Sequence, residues 1–60
     1  MNTNLPNDPV ILVSYLNTQL RDFYSSLDEL CKAFDIKKDA VEQKLAAIDY
    51  HYNAGLNQFQ

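Results

Sequence analysis

The side chains able to do chemistry in this chain are few, and their spacing does not bring them together. There is one cysteine, Cys31, and one histidine, His51. A nucleophilic cysteine needs an electropositive, partly exposed setting and a neighbouring base. Cys31 instead falls on the apolar stripe Leu27, Leu30, Cys31, Phe34, where it reads as a small buried apolar residue. One histidine cannot hold a metal without further ligands, and His51 reads as an outward-facing surface residue. The carboxylates Asp28, Glu29, Asp39 and Glu42 could work as general acid and base only inside a cleft. At their spacing they read as solvated helix charges. No catalytic residue, metal ligand or cofactor-binding residue is assigned, no small-molecule site is evident, and the expectation is a protein that is not an enzyme.

A second kind of chemistry is phosphate and base recognition. Lys37, Lys38 and Gln43 lie on one stretch. The lysines could meet phosphate and the Gln could pair with adenine, but no Arg stands there for guanine. Asp39 and Glu42 offset the two lysines, and the other cations, Arg21, Lys32 and Lys44, are scattered. Eight acidic against five basic residues leave a net charge of −3. That balance disfavours nucleic acid, whose binding needs clustered cations. The same stretch carries Ala40, Gln43, Ala46 and Ala47, a small uncharged strip that lets another helix approach closely. Alanine is also simply a good helix former.

These residues need helices to position them. Asp8-Pro9 is a helix start, with Asp as cap and Pro preorganised for the first turn. The first helix is expected over about 9–22, burying Leu12, Val13, Leu16 and Leu20. Ile11 and Tyr15 fall roughly 100° or more from the centre of that stripe. They are either covered by a terminal segment or left as an apolar edge for a partner. Phe23 and Tyr24 read as core plugs at the join to the next helix.

The stretch 26–48 organises the chain. Ser26 and Glu29 form a capping box, which starts a helix over about 27–34. Asp35 stands at the turn and tolerates a left-handed backbone better than most residues. Ile36 plugs the turn. Lys37 is a poor cap for a helix over about 38–48, whose inward stripe is Val41, Leu45 and Ile48. After it, residues 49–59 alternate polar and aromatic side chains around Asn53-Ala54-Gly55, a hairpin signal. Gly55 suits a left-handed position with a bulge. A two-residue loop would set Tyr50 opposite Phe59, and a three-residue loop Tyr52 opposite Leu56. The aromatic pair favours the first. Residues 1–7 read as a polar arm anchored by Leu5, with a frayed tip.

The fold expected is therefore mainly α (α+β): a three-helix bundle with a C-terminal β-hairpin, a miniature winged-helix-like arrangement in one domain over 8–60. A chain of 60 residues buries only about 60% of its extended surface. With one Cys there is no internal disulfide, so oligomerisation is the remaining staple. No basic, apolar leader opens the chain, and 10–13 is too short an apolar run to cross a membrane. A cytoplasmic location is expected.

Two resemblances bear on this reading. Leu30-Cys31, Phe34, Ile36, Val41 and Leu45 resemble the helix-turn-helix pattern of small bacterial regulators, although Lys44 stands where that pattern often has an apolar residue. LPNDPVILVSYLNTQLRD, SLDEL and LNQF together resemble a family of short bacterial proteins known only as a domain of unknown function, nearly from end to end. That resemblance implies a short stand-alone protein and carries no activity or functional residue with it.

Two function classes follow. One is an interaction module that takes a protein partner or a second copy of itself through Ala40, Gln43, Ala46 and Ala47, or through Ile11 and Tyr15. The other is a DNA-binding regulator that uses Lys37, Lys38 and Gln43. Acidic charge and the neutral strip favour the first.

Overall fold

The computed structural model describes residues 5–60. Residues 1–4, the tip expected to fray, lie outside the described residues. Helix α1 spans Pro9–Asp22. The Asp8 carboxylate accepts the Val10 N–H at 2.9 Å, so Asp8 caps and Pro9 opens the first turn. Leu12, Val13, Leu16 and Leu20 are buried, the stripe expected of them.

Helix α2 spans Leu27–Phe34. The Ser26 hydroxyl accepts the Glu29 N–H at 3.1 Å. The return bond of the box goes one residue further out: Glu29 accepts the Ser25 N–H, at 3.4 Å. The helix ends at Asp35, left-handed at φ 57° and ψ 48°. There the Asp35 N–H donates to Lys32 O and the Ile36 N–H to Cys31 O, the paired bonds of a Schellman cap.

Helix α3 spans Lys38–Ala46, two residues shorter than the expected 38–48. Lys37 makes no side-chain cap, as its type implies. The early end has a physical cause. Asp49 turns left-handed, at φ 67°, its N–H donates to Ala46 O, and the Tyr50 N–H donates to Leu45 O. This second Schellman cap reverses the chain before Ile48 completes another turn.

Strands β1, Tyr52–Asn53, and β2, Gln58–Phe59, pair antiparallel with Tyr52 opposite Phe59 and Asn53 opposite Gln58. Neither expected register occurs. The loop is four residues, 54–57, and the left-handed residue in it is Asn57, at φ 53°, not Gly55. Tyr50 stays outside the pairing and exposed, because the backbone bonds begin at His51, which exchanges both with Gln60.

The core lies between the three helices, and Phe59 closes it from the sheet. Full burial of that ring contributes roughly 2–3 kcal/mol, so β2 is held mainly by one side chain and its backbone. Phe34, half-buried, takes the edge of Tyr24 at 5.7 Å and the tilted ring of Tyr15 at 6.4 Å. Phe23, expected as a core plug, is 71% exposed. Only one of two adjacent aromatics can face Phe34 as the chain leaves α1, and Tyr24 takes that place. Leu5 and Ile36 pack on the core as expected. No helix among the described residues is long and apolar enough to cross a membrane.

Candidate functional site

Asn17 and Asn57, which the pattern of the sequence did not single out, hold the sheet to the helices together with Tyr52. Asn17 on α1 pairs with the Phe59 backbone in both senses: its amide donates to Phe59 O at 3.0 Å and its oxygen accepts the Phe59 N–H at 2.7 Å. It takes the place of a third strand. Asn57 donates to Leu20 O and Tyr24 O, each at 3.0 Å. Its oxygen accepts the Tyr52 hydroxyl proton at 2.6 Å. The Tyr52 oxygen in turn accepts the Leu27 N–H at 3.2 Å. The end of α1, the start of α2 and the hairpin thus meet in one chain of hydrogen bonds. These residues serve the fold and leave the outer surfaces to be considered for function.

The surface around α3 is flanked by two clefts. Its inward residues are Val41 and Leu45, so Gln43 faces directly away from the core. Ala40, Gln43, Ala46 and Ala47 are all exposed, as expected. A cleft lies on each side. Ala40 lines one of ≈180 Å³ with Leu5, Leu12, Ile36, Val41 and the lysines Lys37 and Lys44. Gln43 and Ala46 line the other, of ≈350 Å³, with Glu42, His51, Tyr52 and Phe59.

Ile11 and Tyr15 do not make the single edge expected of them. Ile11 is 57% exposed beside exposed Val10, whereas Tyr15 is drawn against Phe34. Among the described residues it is α2, through Phe34, that packs against Tyr15. A different apolar end appears instead. Phe23 and Leu56, 71% and 61% exposed, border two open clefts that share Leu20, Arg21 and Asn57.

Electrostatics divides the cations. Arg21 forms two bonds to the Asp22 carboxylate, at 2.9 and 3.1 Å. These hold that carboxyl below its usual range and raise the guanidinium. Lys38 meets Asp28 at 3.1 Å, and that hydrogen bond, with the carboxylate charge, raises the ammonium pKa. Lys32, Lys37 and Lys44 make no ion pair among the described residues. His51 is exposed and lies 3.5 Å from the Asp49 carboxylate, so it is not alone on its surface. Burial, then the charge of Asp28, pushes the Cys31 thiol up, the reverse of what activates a thiolate. Among the described residues no group of three or more His, Cys, Asp or Glu could hold a metal.

Comparison with known proteins places the chain. A family model described as Domain of unknown function (DUF4250) matches residues 6–59, and the chain belongs to that family. No curated protein and no solved structure matches it.

Proposed function

We propose that this family member is a non-enzymatic, cytoplasmic protein-interaction module that receives a protein partner on the outer face of α3. The observation supporting this is the pair of clefts that flank the helix. Between them the exposed residues are Ala40, Gln43, Ala46 and Ala47. Small side chains let a partner backbone approach, and clefts on both sides accept its larger ones. The charges on α3 cancel, two lysines against Asp39 and Glu42, so nothing on this face selects strongly for phosphate.

The purified full chain, used as bait in extracts of its host, tests the reading. Partner recovery should fall with Ala47→Glu and Ala40→Arg while circular dichroism stays unchanged. It should survive Ile11→Ser and Phe23→Ser. Recovery indifferent to both α3 variants would remove α3 as the docking surface. Self-association is a separate version, through the exposed Phe23 and Leu56 rather than through α3. Sedimentation at micromolar concentration decides it: a monomer that ignores Phe23→Ser ends that version.

A second reading draws on the order of α2, a tight turn and an exposed α3. In helix-turn-helix proteins the second of two such helices enters the major groove, and here Lys37, Lys38 and Gln43 would make the contacts. Lys38 is already turned to Asp28, which weighs against it. Anisotropy titration with duplex DNA at low salt separates the two. Binding that weakens steeply with salt and with Lys37→Glu favours DNA; no binding at low ionic strength excludes it.

A further inference from the structure

We infer that the cleft between the N-terminal arm and α3 receives one large apolar side chain from an acidic peptide segment of the partner, an inference that rests on the docking reading above. The floor of the cleft is Leu12 and Val41, both buried, and half-buried Leu5 and Ile36 wall it. Its volume is ≈180 Å³. Small-molecule sites usually run from about 300 to 1,000 Å³, so this cleft is too small for a cofactor. It suits one Leu, Ile, Met or Phe side chain, the kind of anchor that dominates docking of a peptide.

Charge selects what surrounds the anchor. Lys37 and Lys44 line the cleft. They are two of the three cations that make no ion pair among the described residues; Arg21 and Lys38 are already turned to Asp22 and Asp28. The chain as a whole is acidic, at −3. Its general surface repels acidic segments, and this cleft is the local exception. A segment with carboxylates on either side of an apolar anchor meets both lysines at once, and basic segments meet like charge.

Peptide display on the immobilised full chain tests this, with Lys37→Glu/Lys44→Glu and Ala47→Glu variants selected in parallel. Circular dichroism confirms that each variant is folded. The wild-type chain should enrich peptides with one large apolar residue flanked by Asp or Glu. A synthetic peptide of that consensus should bind at least tenfold more weakly when the anchor is changed to Ser, and at least tenfold more weakly to the double lysine variant. Failure to enrich any sequence, or enrichment of a basic consensus, overturns the inference. Enrichment that survives the lysine variant but is lost with Ala47→Glu overturns the cleft and keeps docking on α3. Enrichment indifferent to all three substitutions overturns both.

Discussion

Replacing Asn57 by Ala should remove a large part of the protein's stability, although Asn57 belongs to no helix, strand or apolar stripe. Its side chain makes three hydrogen bonds, to Leu20 O, Tyr24 O and the Tyr52 hydroxyl. Each is part-buried and contributes about 0.5–1.5 kcal/mol net, so roughly 2–3 kcal/mol is lost with the amide. The backbone adds to this. Asn57 sits at φ 53°, a region where a residue with a Cβ is strained by about 1–2 kcal/mol and Asn by less. The total for Asn57→Ala is about 3–4 kcal/mol. A chain of this length is stable by roughly 3–9 kcal/mol at 0.05–0.15 kcal/mol per residue. Asn57→Gly loses the same bonds without the backbone strain and should therefore be about 1 kcal/mol more stable than Asn57→Ala. Tyr52→Phe removes the hydroxyl that links Asn57 to the Leu27 N–H and should cost about 1–2 kcal/mol. Urea unfolding followed by circular dichroism and tyrosine fluorescence measures all three. If Asn57→Ala costs less than about 1 kcal/mol, the hub described here does not hold the hairpin to the helices; equal stabilities for Ala and Gly would remove only the backbone part of the cost.

Four further outcomes follow from the same structure. Asn17→Ala should cost about 2 kcal/mol, and the Phe59 amide, losing its acceptor, should become the fastest-exchanging of the core amides by hydrogen-exchange NMR. Asp49→Gly relieves a left-handed backbone against the greater freedom of Gly when unfolded; a net gain of about 0.5 kcal/mol should raise Tm by roughly 2–4 °C, and a lower Tm would contradict the cap. Cys31 should react slowly with a thiol reagent in the native state at neutral pH and at once in urea; because its folded pKa is raised, its contribution to stability holds below the unfolded pKa and is lost as pH rises through the folded one, in the alkaline range. Asp22 is depressed by the Arg21 bonds, so its contribution is present above the unfolded carboxylate pKa and fades as pH falls through the folded one; carbonyl-carbon NMR should find it titrating below the usual carboxylate range, and Arg21→Ala should move it up.

What was legible in the sequence was local. Asp8, Ser26 and Asp35 announce helix ends because capping depends on a residue and its next three or four neighbours. The apolar stripes of α1, α2 and α3 are legible because burial repeats with the helical period. The hairpin was legible from its alternation, but its register was not, because that depends on bonds from Asn57 to residues 37 and 33 positions away, and from Phe59 to Asn17, 42 positions away. No window of the sequence contains both ends of such a bond. The alternation was read on the right faces for His51, which is exposed, and for Tyr52, which packs on the core; only Tyr50, beside the left-handed Asp49, lies outside the pairing and in solvent. Phe23 failed because hydrophobicity does not say which of two adjacent rings turns inward. For the candidate site, the exposure of Ala40, Gln43, Ala46 and Ala47 was legible from the wheel of α3. The apolar cleft was not, because it needs the arm, the turn at Ile36 and α3 together.

The distribution of these roles bears on where function resides. The segments that carry the family resemblance are the ones the fold consumes. In LPNDPV, Leu5 packs on the core and Asp8-Pro9 starts α1. In SLDEL, Ser26 caps α2 and Leu27 and Leu30 are buried. In LNQF, Asn57 ties the hub together and Phe59 fills the core. Residues so engaged are committed to the fold, and changing them costs stability first. The outer face of α3 lies outside all three segments and holds nothing else in place: Ala40, Gln43 and Ala47 are exposed. Substitutions there can alter what the protein meets without altering whether it folds. A binding module of the kind proposed, on so small a core, would need that separation, since about 1 kcal/mol taken from the fold to tune a contact is a sizeable part of the whole.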